Sequence, residues 1–251
     1  VLCRRFEELS TAASPLDMRI CVLGAVLERM VQHAEKLGVP VSEFACTLLA
    51  VAVRGNQYLL FHIGDGVIGY RKNGKLMVAS GPENGEFSNA TVFVTSKNAL
   101  LKSRVMRGEQ SALEGFVLMS DGCETTLYHK QDRRLAPFLK RLLQRAELLE
   151  HDISQQMLQA VLNSVLSLRT VDDCSLAIMV KESSQSGSWD RLPPREKAAI
   201  LGITTGKRSR RRRQIRNAER AGVVSATPAC AIANTNNDNS NSIKIERRLS
   251  I

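Results

Sequence analysis

Three carboxylate sites, each at the edge of an apolar run, carry the chemistry that this sequence offers. Asp65 stands between Gly64 and Gly66, directly after Gln57–Ile63. Asp121 follows the apolar residues Phe116–Met119 in the turn Ser120-Asp121-Gly122. Asp172 and Asp173 precede a third apolar run, Ser175–Val180. A run of four or more apolar residues that ends in a turn signal reads as a buried strand. A rigid strand end is a good place to hold a charged group. Aspartate at a turn is also a common cap, so no one of the three is informative alone. Together they form an all-oxygen donor set, which suits hard divalent cations such as Mn²⁺ or Mg²⁺. His62, inside a strand, reads as a hydrogen-bonded core residue. Glu86 and Asn89 lie in a polar loop, 80–90, that could border the site.

The elements that must position these groups follow from periodicity. Ser14-Pro15 opens a helix, and Ile20, Leu23, Leu27, Met30, Val31 and Ala34 recur at helical spacing as far as Leu37. Gly38-Val39-Pro40 stops it. Residues 44–53, 57–63, 67–71 and 75–79 read as an antiparallel meander turning at Arg54-Gly55-Asn56, Gly64-Asp65-Gly66 and Lys72-Asn73-Gly74. Short strands are expected at 91–95 and 100–106, and a closing strand at 174–181. Amphipathic helices are expected at 133–149 and 153–168. Residues 1–13 read as irregular. Runs of strands with helices kept apart indicate an α+β class.

Taken in order, Gly64-Asp65-Gly66 between strands, Ser120-Asp121-Gly122 after an apolar strand and Asp172-Asp173 before the last strand resemble the metal-dependent protein phosphatases. These are the type 2C, or PPM-type, serine/threonine class. The stretch 83–91 is closer to a bacterial branch. The resemblance implies a four-layer αββα sandwich, two antiparallel sheets face to face with helices outside each. It implies two or more Mn²⁺ or Mg²⁺ ions that activate water against a phosphorylated protein substrate, with no side-chain nucleophile. In keeping with this, no cysteine sits in a phosphate-cradling loop. By resemblance Asp121 and Asp172 are ligands of one metal and Asp65 helps to hold a looser additional ion. Asp173, Gly122 and Glu86 are their neighbours, and Asp173 is an alternative to Asp172. The family also places a bridging Asp-Gly on early strands. Nothing before Leu16 contains that dipeptide, and Glu7-Glu8 is the nearest acidic pair. The expected domain is therefore N-terminally incomplete, with little activity of its own.

The net charge of +10 is unevenly placed. From Ser183 onward there are 14 Lys/Arg against 5 Asp/Glu, and before it 21 against 20. This divides the chain into a phosphatase-like part (1–182), a linker with room for a short helix (183–206) and a basic, then Asn/Ser-rich tail (207–251) expected to lack structure. Eight of the fourteen residues from Lys207 to Arg220 are basic, so a polyanion such as nucleic acid is a conceivable partner of the tail. No apolar run approaches the ~20 residues of a membrane span. The six scattered cysteines suit a reducing cytoplasm better than a disulfide framework. Two alternatives to an enzyme stay open: a catalytically dead module of the same fold that binds a phosphoprotein, and a nucleic-acid binder acting through 207–220.

Overall fold

The computed structural model describes residues 1–11, 14–82, 91–166, 169–170, 172–181 and 243–247. By its contacts the chain divides into Val1–Ser186 with Asn241–Ile251, and a second unit, Gly187–Ser240, which lies outside the described residues. The basic run 207–220 therefore also lies outside them.

The chain opens with α1 (Phe6–Thr11), where the sequence reads as irregular. Its signal is short, but Phe6 and Leu9 are both buried, so the turn is fixed by packing rather than by its own propensity. The long helix α2 (Pro15–Leu37) starts as the sequence predicts. Ser14 caps it by accepting from the Asp17 N–H at 3.1 Å, and the Asp17 carboxylate accepts from the Ser14 N–H in return. It ends at Gly38, whose φ of 65° is the left-handed conformation glycine tolerates best.

Next come β1 (Leu48–Arg54), β2 (Gln57–Ile63), β3 (Val67–Lys72) and β4 (Lys75–Ser80). These four do not form one meander. β1 pairs with β2, and β3 with β4, but β2 and β3 belong to different sheets. The turn at Gly64-Asp65-Gly66 is thus a crossover between layers instead of a hairpin. The short α3 (Ala99–Lys102) and β5 (Arg104–Glu109) replace the expected strand at 100–106, and 91–95 is not a strand. The chain then runs through β6 (Leu113–Met119), α4 (Glu124–Leu127), the two-residue strands β7 (Tyr128–His129) and β8 (Arg134–Leu135), and α5 (Pro137–Leu148). α6 (His151–Val161), β9 (Leu176–Val180) and β10 (Ile243–Arg247) follow. The β7–β8 ribbon takes Arg134 out of the helix expected from 133, and Pro137 fixes the true start. α6 runs into a π-helical turn at Leu162–Leu166.

Two sheets result, ordered β1-β2-β5 and β10-β9-β6-β3-β4. Every pairing within them is antiparallel except that of β10, which lies parallel to β9. That strand falls in the tail expected to lack structure. The alternation Ile243-Lys244-Ile245-Glu246-Arg247 is the period-two signal of an edge strand, too short to stand out in sequence. Leu60, Ile68, Leu113 and Phe116 are packed between the sheets. Val22 and Leu23 of α2 lie on the outer face of β2, against Phe61 and Ile63. α5 covers the far side, against β9, β6 and β4. The expected αββα layering is what these contacts build.

Candidate active site

The carboxylates meet because of strand register. Val67 of β3 is paired with Met119 of β6, and Met119 with Leu176 of β9. Asp65, Asp121 and Asp173 lie two or three residues beyond those partners, all off the same end of the five-stranded sheet. Glycine lets the turns close up. A Cβ at Gly66 would lie 2.7 Å from the Met119 carbonyl oxygen, and one at Gly64 would run into the Thr47 side chain. A Cβ at Gly122 would overlap the Asp173 carbonyl oxygen and stand 3.3 Å from the Asp172 Cβ. Gly122 is thus the residue that lets the Asp121 turn lie directly on the Asp172-Asp173 segment.

Hydrogen bonds fix that juxtaposition. The Ser120 N–H donates to the Ser175 carbonyl (3.0 Å), and the Ser175 N–H donates back to Ser120 Oγ (2.9 Å). Ser120 Oγ also donates to the Asp173 carbonyl at 3.3 Å. Asp121 Oδ1 accepts from the Gly122 N–H at 3.0 Å. Asp65 Oδ2 accepts from the Thr91 hydroxyl at 2.5 Å. Sequence reading missed Thr91, because nothing local links two residues 26 positions apart.

The same proximity acts on the charges of the site. Burial raises the Asp121 carboxyl above its usual range, and the neighbouring charges of Asp65 and then Asp172 raise it further, against the opposing Gly122 hydrogen bond. Asp172, rather than Asp173, is the acid that acts on Asp121. Both are exposed. Among the described residues, no three His, Cys, Asp or Glu side chains are grouped closely enough to ring one ion. Asp121, with Asp65 and Asp172 acting on it, nonetheless offers the all-oxygen donor chemistry that a hard cation takes.

The remaining candidates are elsewhere. Glu86 and Asn89 lie outside the described residues. Glu8 is paired with Arg5, and Glu7 with Arg54 at 3.3 Å. Arg54 is at the opposite end of the β1–β2 ribbon from Asp65, roughly 20 Å along the strand, so neither glutamate can join the site. His62 is fully buried, its Nδ1 is 2.7 Å from Ser80 Oγ, and burial with the Arg104 cation depresses it to about 3. It is a neutral core residue. Cys123 is buried beside the site, and burial pushes its thiol up to about 12, so it is no nucleophile at neutral pH.

The fold is an α+β sandwich of two sheets with acidic turns gathered at one end of one of them, and comparison gives the family. The family model for protein phosphatase 2C matches residues 2–166, and the chain belongs to that family. Serine/threonine-protein phosphatase 3 of Escherichia coli (strain K12) is 26% identical over 161 residues, which are 61% of this chain and 62% of that protein. The chain thus spans less than two thirds of that relative. Among solved structures, a bacterial serine phosphatase is 14% identical with a TM-score of 0.40, over 62% of each chain. PppA of Pseudomonas aeruginosa is 25% identical with a TM-score of 0.36, over 51% of this chain and 55% of its own.

Proposed function

We propose that this chain is the catalytic domain of a phosphoserine/phosphothreonine protein phosphatase that works through divalent cations, Mn²⁺ or Mg²⁺. The observation that carries this reading is the strand register that brings the acidic turns of Asp65, Asp121 and Asp172-Asp173 off one end of the same sheet, with Gly122 against the Asp173 carbonyl. Such a cluster is poorly stable without a cation to offset it. Asp121 and Asp172 are assigned as ligands of one ion, with Asp65 supporting another. A cation held there lowers the pKa of water and offsets the charge on a phosphoryl group. The protein's own part is to hold the carboxylates in register. Gly122 permits the close approach, Ser120 ties the two turns together, and Thr91 orients Asp65. Asp173 acts through its backbone carbonyl.

The phosphatase domain is assigned to 1–182, followed by a linker at 183–206 and the tail at 207–251. No helix among the described residues is long and apolar enough to cross a membrane. The free thiols of Cys3, Cys21, Cys46, Cys123 and Cys174 support a reducing, cytoplasmic setting.

The alternative is a phosphoprotein-binding module of the same fold without hydrolysis. Mn²⁺-dependent release of phosphate from a phosphothreonine peptide, with calorimetric titration of Mn²⁺, separates the two. Asp121→Asn should abolish both turnover and the Mn²⁺ heat. Heat without turnover supports the binding module, and Mn²⁺ binding unaffected by the substitution refutes the site.

A further inference from the structure

A cleft of about 950 Å³ lies between β4 and β5, the terminal strands of the two sheets on this side. β4, against which β8 packs, has no further hydrogen-bonded strand partner on its outer edge among the described residues, so that edge can accept another strand. Its apolar lining includes Val78 from β4 and Met106, 41% exposed, from β5. Among the described residues, the charged groups that line it are all of one sign. Arg19, Arg104, Arg133 and Arg134 line the cleft, and no carboxylate among the described residues does. Arg19 and Arg104 are engaged with backbone carbonyls, Arg19 with Pro15 at 3.3 Å and Arg104 with Gly64 at 3.5 Å. Arg133 and Arg134 are exposed on the β7–β8 ribbon. Gly64 adjoins Asp65, so Arg104 reaches from the cleft wall to the segment that carries one of the three carboxylates.

We propose that this cleft docks an extended acidic segment of the phosphoprotein, with Glu or Asp residues flanking the phosphorylated position. The segment lies along the edge of β4, its carboxylates on Arg133 and Arg134. Edge-strand addition supplies sequence-independent backbone bonds, and the arginines supply selectivity, since each can take a carboxylate in bidentate fashion. The cation site and the groove then divide the labour. The first handles the phosphoryl group and the second selects its surroundings. The inference rests on the phosphatase reading for the identity of the peptide's owner, though not for the binding itself.

The test is fluorescence anisotropy with the full chain and a labelled Glu-rich peptide of about eight residues, enough to span β4. A Gln/Ser peptide of the same length is the control. The acidic peptide should bind and the control should not. Arg133→Glu with Arg134→Glu should weaken binding about tenfold, by replacing two attractions with two repulsions. Met106→Glu, on a different element, should also weaken it, which guards against local misfolding of the ribbon in the first variant. All variants keep residues 207–220. Unchanged affinity in both would show that the basic run alone captures the peptide and would overturn the proposal, as would equal binding of the control peptide. Mn²⁺-dependent turnover of p-nitrophenyl phosphate is measured alongside and should not change in either variant. Its absence from the unsubstituted chain would count against the phosphatase assignment, while the anisotropy still decides the groove.

Discussion

Acid should destabilise this domain through one buried imidazole. His62 is fully buried, with Ser80 Oγ at 2.7 Å from Nδ1 and the Arg104 guanidinium at 3.1 and 3.3 Å from the two ring nitrogens. Burial, then the Arg104 charge, lowers it from 6.5 to about 3. The folded protein therefore keeps His62 neutral over a range in which the unfolded chain takes up a proton. Because the unfolded state binds more protons there, stability is full above the unfolded value and falls as pH drops below it. The loss approaches ~1.4 kcal/mol per pH unit, or about 2 kcal/mol between pH 7 and pH 5. For a domain of this size that is roughly 4–8 °C in midpoint. His62→Gln keeps an amide for Ser80 and cannot titrate. It should cost roughly 1–3 kcal/mol at pH 7 through imperfect packing and pairing. Urea unfolding of both proteins at pH 7, 6 and 5 gives the difference, from which shared titrations cancel. The gap should shrink by about 2 kcal/mol on going to pH 5. A constant gap would mean that His62 is protonated in the fold, and the account of its surroundings would be wrong.

Three further outcomes are expected. Asp121→Asn should raise the thermal midpoint slightly in EDTA at pH 7, because it removes a carboxylate pressed by Asp65 and Asp172, and should erase any upward shift on adding Mn²⁺; a lower midpoint in EDTA would contradict the repulsion. Gly122→Ala should destabilise by about 1–3 kcal/mol in chemical denaturation, since its Cβ meets the Asp173 carbonyl, and a neutral result would show that the two turns are not in contact. Ile245→Pro should lower the midpoint by removing a ladder hydrogen bond from the strand beside β9, and hydrogen exchange at Ile178, its register partner, should speed up. Unchanged exchange there would remove β10 from the sheet.

Local chemistry settled a good deal in advance. The apolar runs marked β2, β6 and β9, and the Ser14 cap and Gly38 stop set α2, because capping and periodicity act over a few residues. The three acidic turns could be picked out for the same reason, each being an apolar run broken by a carboxylate. What sequence could not say was which strand pairs with which. Gly64-Asp65-Gly66 looks like a hairpin, yet it carries the chain from one sheet to the other. Asp65 therefore meets Asp121 through β3–β6 pairing, across more than fifty residues. The same pairing brings Gly122 onto Asp173, and the fold alone brings Thr91 to Asp65 and Arg104 to His62. Contacts of that separation depend on register and on the space between layers, which are properties of the packed sandwich and not of any window of sequence.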